Sequence, residues 1–349
     1  MAKIPKNLQN DKFSKYLSQE DLIQVSQGKV RNTWHLEDGQ LLVVATDRIS
    51  IFDFVLNALI PKKGEVLTAL THFWLTKVLS RFDHHLVPSQ INPAFNAAYD
   101  LREFAFDGLE IERCLVVKNM VGKLYPFEMI YRHHIGGSVY KSYLKTGMAG
   151  GQQLPPDLPK WSKLDKPIFT PSTKEDVGHD VNIDADYFFT EMAKKGLESE
   201  ARSVVAVLSD AYAWAYTYAK SKGILILDTK FEVAGLKIVD EILTPDSSRF
   251  TLEEDWEKAM KEGRDPIFLD KQPVRDWGAT IVTPFLDENE KPIIGINKLN
   301  PKNLYHVEFV HSLEVPEEII NDTTARYLAI SQMLTGQSLG EYQAKEMGV

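Results

Sequence analysis

Asp228, Lys230 and Glu232 follow one another at intervals of two, along a run that opens with the apolar tetrapeptide Ile224-Leu-Ile-Leu227. On a β-strand that spacing projects all three side chains from one face, while Phe231 and Val233 point the other way into a core. Two carboxylates with an ammonium between them suit a Mg²⁺ site that also holds phosphate oxygens. The chain then reverses near Gly235 and returns through Lys237-Ile-Val-Asp240-Glu241. A turn about Leu236 would set Glu232 and Asp240 opposite one another on one face. Opposed carboxylates repel unless a cation lies between them, and Mg²⁺ takes one or two carboxylates plus nucleotide phosphates. The competing reading is a solvent-facing hairpin of alternating charges. The next segment tips the balance toward chemistry. Thr244-Pro-Asp246-Ser-Ser-Arg249 supplies a turn, the hydroxyls of Ser247 and Ser248, and Arg249, which together can clamp a phosphate or a carboxylate.

The rest of the composition bounds what such a site can serve. With 349 residues, 44% hydrophobic and 26% charged, the chain can bury a sizeable core and is long enough for two lobes. Its one cysteine, Cys114, excludes an internal disulfide and a multi-cysteine metal site, and its apolar setting marks a buried thiol. A net charge of −9 argues against nucleic acid as a bulk electrostatic partner. Small anions remain open to it through local Lys/Arg clusters, helix N-termini or a divalent cation. No uncharged stretch approaches the roughly 18–20 residues of a membrane helix. The N-terminus lacks the apolar core of a signal peptide, so the cytoplasm is the expected compartment and no membrane partner is expected.

The elements that must position these groups read as α+β, without the strict strand–helix alternation of a doubly wound sheet. Residues 29–46 read as a hairpin closed by a two-residue turn at Asp38-Gly39. Residues 65–82 carry a broad apolar helical face, and strands are expected at 113–118 and 127–131. A short helix is expected from Ser138, as N-cap, to near Gly147. Residues 147–184 show no period and read as a long functional loop. Helices follow at 184–195 and 198–222, then the strand at 224–227 and its hairpin. A helix near 251–262, a strand-like 281–283 and a helix at 316–335 complete the chain.

Taken together, Asp228-Thr-Lys-Phe-Glu232 and Asp240 through Arg249 resemble the phosphoribosylaminoimidazole-succinocarboxamide synthase, or SAICAR synthetase, family. Further segments agree in order: Gly28-Lys-Val-Arg31; Thr46 through Asp53; Glu128 through Arg132 to Gly137-Ser138; Pro171-Ser-Thr-Lys174 with His179-Asp180; and Lys271-Gln272 with Arg275-Asp276-Trp277. The likeness spans the chain from about residue 25. It implies a ligase in purine biosynthesis: ATP phosphorylates the carboxylate of carboxyaminoimidazole ribonucleotide, and the amine of L-aspartate attacks the acyl phosphate, giving an amide, ADP and phosphate. Such chemistry needs charge neutralisation and positioning more than a protein nucleophile. The family fold is related to ATP-grasp and kinase-like architectures, which implies a β-rich nucleotide-binding lobe at 1–120, a larger α+β lobe at 121–349, and ATP in the cleft between them.

Carried over by motif, Gly28, Lys29, Arg31 and Lys118 would meet ATP. Glu232 and Asp240 would hold Mg²⁺, and Lys230 would steady the transferring phosphoryl group. Arg132, Ser138 and Arg249, with Ser247 and Ser248, would take the ribonucleotide; Glu128, Asp180 and Asp228 would hold metals at its carboxylate and the attacking amine. Arg275 would reach an aspartate carboxylate. Each has a blander alternative: Lys29 and Arg31 as an exposed strand edge, Ser138 as a simple cap, His179-Asp180 as a solvated pair, Arg275 as a surface ion pair. The chain departs from the family pattern at Ile51, at His133-His134-Ile135, and in a hairpin between Glu232 and Asp240 that is shorter by an even number of residues, which preserves side-chain parity. The oligomeric state, monomer or dimer, is not legible. A generic kinase would need a His-Arg-Asp or Asp-Phe-Gly pattern, and neither is present. A nucleotide-binding regulator without activity would not need the full charged set.

Overall fold

The computed structural model describes residues 3–9, 22–36, 39–87, 110–173 and 181–349. Asp38, Lys174, His179 and Asp180 lie outside the described residues.

The first sheet, in the order β1-β2-β3-β6, joins β1 (Gln24–Gln27), β2 (Arg31–His35), β3 (Leu41–Ala45) and β6 (Cys114–Val117). The expected hairpin is β2–β3, with His35 opposite Leu41. The Leu36 N–H donates to the Gln40 carbonyl and the Gly39 N–H to the Leu36 carbonyl, with Gly39 at φ 78; the turn expected at Asp38-Gly39 falls partly outside the described residues. The small ribbon β4 (Arg48–Ile51) and β5 (Phe54–Leu59) follows, then the helix Lys63–Phe73, every residue of which is buried. A π-helical turn extends it to Val78.

The second sheet positions the charged set. Its spine runs β10 (Lys163–Phe169), β7 (Phe127–His134), β12 (Ile224–Ala234) and β13 (Lys237–Val239). The short β11 (Ser172–Thr173) also pairs with β7, and β14 (Ser248–Leu252) with β12. Ile224 to Leu227 are buried on both faces, the pattern of a central strand. The 24-residue helix Glu198–Ser221 covers one face, presenting Ala201, Val204, Leu208, Ala211, Ala215 and Ala219 at helical spacing. Gly223, at φ 72, ends that helix and lets the chain turn directly into β12.

Residues 147–184, expected to be a loop without regular structure, contain the two-stranded β8 (Met148–Ala149) and β9 (Gln152–Gln153), and then β10 itself. The sequence Lys163-Leu-Asp-Lys-Pro-Ile-Phe169 hides a strand because it is an edge: its outer positions are charged and Pro167 needs no ladder partner there. The helix expected from Ser138 spans Gly137–Thr146, with Gly136 rather than Ser138 as its cap and Gly147, at φ 70, at its end. The later elements fall where expected: helices at Ala185–Lys194, Glu253–Glu262 and Glu317–Thr335, and β15 (Val282–Leu286) paired with β16 (Pro292–Ile294). Helices Gln272–Thr280, Leu304–Ser312 and Leu339–Tyr342, the last running into a π-helical turn at Gln343–Met347, complete the described chain toward its C-terminal end. Among the described residues no helix is long and apolar enough to cross a membrane.

Candidate active site

One cleft of roughly 1380 Å³ gathers most of the residues singled out above. Its walls come from both sheets and from the segment 265–279. Gly28, Lys29, Arg31, Glu128, Arg132, Ser138, Asp228, Lys230, Glu232, Asp240, Ser247, Arg249 and Arg275 all line it. Lys118 does not. At the end of β6 it turns toward the His84 carbonyl, 3.3 Å away. Ser248 is also absent from the wall: its hydroxyl shares a 2.7 Å hydrogen bond with Thr229 inside the β12–β14 ladder.

The alternation of β12 places Asp228, Lys230 and Glu232 toward the cleft and buries Phe231 and Val233 in the core, as the spacing predicts. Ladder register then does something the spacing cannot show. Asp228 faces Arg132 of β7 on one side and Arg249 of β14 on the other. Its Oδ2 accepts from both guanidinium groups, from Arg249 at 2.6 Å. Three strands thus set Arg–Asp–Arg in a buried row carrying one net positive charge, a receptor for an anion. Burial, reinforced by the neighbouring Arg249, holds the Arg132 guanidinium below its ordinary range, while Asp228 pulls the other way. Burial opposes the charge of Arg249 too, but Asp228 and Asp270 more than offset it and raise that guanidinium.

Lys230 reaches diagonally across the sheet to Glu128 Oε1, 2.5 Å away, and Glu128 Oε2 accepts from Ser172 Oγ at 3.2 Å. Burial alone would lower the Lys230 ammonium; the carboxylates of Glu128 and Glu232 outweigh it and raise it, so the group stays charged.

The carboxylate pair Glu232 and Asp240 departs from the expected register. Glu232 lies opposite Val239, not Asp240, because the turn at Gly235-Leu236 holds only two residues between Ala234 and Lys237. Asp240 follows the end of β13 at φ 61, a left-handed backbone that breaks the strand alternation, and both carboxylates still line the cleft. Asp240 pairs with Arg31 at 2.6 Å, and Glu241 pairs with the same arginine at 3.1 Å. Burial raises the Asp240 carboxyl to about 6 against the pull of Arg31, and the charges of Glu232 and Glu241 add to the rise. Among the described residues no three His, Cys, Asp or Glu side chains converge as a self-sufficient metal cage. The donor set fits Mg²⁺ that keeps substrate phosphate oxygens in its shell, since one or two carboxylates suffice and added positive charge relieves the repulsion.

Lys29 pairs with Asp53 at 2.6 Å, across the type I′ turn Phe52-Asp53, whose φ values are 51 and 67. Two non-glycine residues held left-handed, one of them aromatic, are unusual, and Phe52 and Asp53 both line the cleft. Ser138 is the second residue of its helix and meets Asn182 Oδ1 at 3.4 Å. Gly137 begins that helix at φ 60, and a Cβ there would sit 3.3 Å from Arg249 Nη2. Glycine therefore lets Arg249 approach the helix N-terminus.

Two groups of residues escaped the sequence reading. Arg48 is buried beneath the first loop, donating to the carbonyls of Gly28 and Lys29 at 3.1 Å each and to Asn32 Oδ1 at 2.7 Å. Asp246, Lys63, Lys271 and Tyr327 form a second, buried cluster at the back of the cleft. Arg48, Asp246 and Lys271 carried a signal only as members of recognised motifs; Lys63 falls just before the apolar pattern of 65–82, and Tyr327 sits inside the helical pattern of 316–335, which looks structural. Beside the cleft, Val43, Ala45, Leu115 and Val117 of the first sheet face Leu67, Thr68 and Thr71 across an apolar slot that opens at Arg31, Asp240 and Glu241.

A cleft of paired carboxylates, lysines and a charged Arg–Asp–Arg row on an α+β frame is that of an enzyme working on phosphorylated, anionic substrates. Residues 24–292 match the SAICAR synthetase family model, and the chain belongs to that family. It is 38% identical over 322 residues to the phosphoribosylaminoimidazole-succinocarboxamide synthase of Actinobacillus succinogenes, covering 90% of this chain and 98% of that protein. It is 36% identical over 325 residues to the Saccharomyces cerevisiae synthase, covering 89% and 94%. The solved yeast SAICAR synthase complexed with SAICAR superposes with a TM-score of 0.70 at 32% identity, covering 91% of this chain and 96% of that one. The enzyme is a ligase forming a C–N bond, condensing carboxyaminoimidazole ribonucleotide with aspartate in purine biosynthesis.

Proposed function

We propose that the charged cleft runs this condensation through an acyl phosphate, with ATP bound where the first sheet, as part of a smaller lobe ending near residue 120, meets the larger remainder of the chain. The observation that carries the proposal is the convergence of Lys230, Glu232, Asp240 and the Arg132–Asp228–Arg249 row on one cavity. Gly28, Lys29 and Arg31, which line the cleft from the side of the first sheet, suit the ATP phosphates. Glu232 and Asp240 would hold Mg²⁺, which supplies charge neutralisation at the phosphates when bound.

Lys230, kept protonated by Glu128 and Glu232, stabilises charge on the transferring phosphoryl group. Arg132, Arg249 and Ser138 would hold the ribonucleotide phosphate, with Asp228 fixing the two guanidinium groups and Ser247 beside them, and Glu128 would stand near its carboxylate. Arg275 would take an aspartate carboxylate, a role supported by its loose pairing with Asp270 at 3.8 Å, which leaves the guanidinium available to a substrate. Asp180 keeps its proposed place near the amine on motif alone. The chain works in the cytoplasm in this reading. A ribonucleotide labelled with ¹⁸O in its carboxylate tests the route: the acyl phosphate passes one label to inorganic phosphate, and unlabelled phosphate would overturn it.

A further inference from the structure

The cluster behind the cleft is not explained by phosphate binding. Lys271 lines the cleft at the start of the helix Gln272–Thr280, with 12% of its side chain exposed. Its nearest carboxylate oxygen, Asp246 Oδ1, is 3.6 Å away, beyond a hydrogen bond. That oxygen has a closer partner. The Tyr327 hydroxyl donates to it at 2.5 Å, and Asp246 Oδ2 is paired at 2.8 Å with Lys63, whose side chain is fully buried. Asp246 thus has two closer partners, and Lys271 is its third and most distant one, held as an ion pair at 3.6 Å but not by a hydrogen bond.

We propose that Lys271 takes the proton from the ammonium of the incoming aspartate, and that Tyr327 is a positioning residue that keeps Asp246 from locking Lys271 as a cation. The charged groups facing Lys271 are Asp246, Arg275, Lys63 and Glu241, with Asp270 adjacent in the chain. Burial draws the Lys271 amine down to about 8; Asp246 opposes this, while Arg275 and Lys63 reinforce it. A neutral amine is thereby available near neutral pH. Tyr327 stands on the helix Glu317–Thr335, beyond the residues 24–292 matched by the family model, whereas Lys63 and Asp246 lie within them.

The inference rests on the acyl-phosphate route and its protons balance. Lys271 accepts one proton from the aspartate ammonium. The freed amine attacks the acyl carbon, the C–N bond forms, and the carbon–oxygen bond to phosphate breaks. The departing phosphate carries off the second nitrogen proton as hydrogen phosphate, and Lys271 returns its proton to solvent.

The test compares aspartate with hydroxylamine, a nucleophile that is unprotonated at neutral pH and needs no base, in wild type, Lys271→Met and Tyr327→Phe. Wild-type kcat with saturating aspartate should rise through about pH 8. Lys271→Met should lose about 10²-fold or more with aspartate while keeping hydroxamate formation within a few-fold. Tyr327→Phe, which frees Asp246 Oδ1 for Lys271, should move the rise upward by about half a pH unit or more. Aspartate and hydroxylamine turnover lost together, or a kcat that falls through pH 8, would overturn the base assignment. A rise unmoved in Tyr327→Phe would overturn the positioning role. Failure of ¹⁸O transfer in wild type would instead sink the acyl-phosphate route itself.

Discussion

Asp228 stands directly opposite Arg132 in the β7–β12 ladder and accepts a hydrogen bond from it, while Arg249, its partner in the β12–β14 ladder, holds the same oxygen from the far side. The row is set by register rather than by loops, so its geometry is fixed as firmly as the sheet. Arg249→Lys keeps the charge but loses the planar fork. Its KM for the ribonucleotide should rise about 10-fold, with the KM for ATP little changed; steady-state titration of each substrate checks this. Asp228→Asn leaves two buried guanidinium groups without their counter-charge and should cost about 3–5 kcal/mol in denaturant unfolding.

The carboxylate pair makes a separate prediction. Mg·ATP should raise the thermal midpoint of the wild-type protein through binding to the folded state. Glu232→Gln and Asp240→Asn should each lose most of that gain and lower kcat by roughly 10²–10³-fold. A midpoint that responds equally in both variants would place the metal elsewhere.

His134 makes a prediction about pH. It is fully buried, and neither ring nitrogen has a hydrogen-bond partner among the described residues. Burial, assisted by His133 and Lys163, lowers it to about 3. The unfolded chain thus binds a proton that the fold refuses. The contribution is complete above the unfolded value of about 6.5 and is lost as pH falls toward the folded value. Against His134→Phe, the wild type should lose about 2 kcal/mol more stability between about pH 7.5 and pH 5. Equal losses in the two proteins would show that His134 is protonated in the fold.

Gly136 is constrained by space, not by its backbone angle. A Cβ there would fall 2.0 Å from Trp161 Cζ3, part of a rigid, buried ring. Gly136→Ala should destabilise the start of the helix Gly137–Thr146 by about 1–3 kcal/mol or more. It should also weaken ribonucleotide binding, because that helix end carries Ser138 and abuts Arg249; calorimetric titration with the ribonucleotide measures the loss.

The sequence made the chemistry of β12 legible because strand alternation maps directly from spacing to face. It also placed the helices around Ala185–Lys194 and Glu198–Ser221 closely, since their apolar periodicity is strong. What escaped it had physical reasons. β10 reads as loop because an edge strand tolerates Pro167 and outward charges. Glu232 and Asp240 do not face each other, because a left-handed residue beyond the strand end replaced the register that parity assumed. Ser248 pairs within the ladder, and Lys118 bends away to a carbonyl. Tyr327 was invisible as a functional residue, because a tyrosine on an amphipathic helix looks like core until its hydroxyl partner is seen.

The most direct test of the central claim is ADP release by the purified protein with ATP, Mg²⁺, L-aspartate and carboxyaminoimidazole ribonucleotide, omitting each in turn, beside Glu232→Ala and Asp240→Ala. The account predicts release that needs all four components, an equal yield of succinocarboxamide product, and loss in both variants. ADP released at full rate without aspartate or ribonucleotide would contradict it.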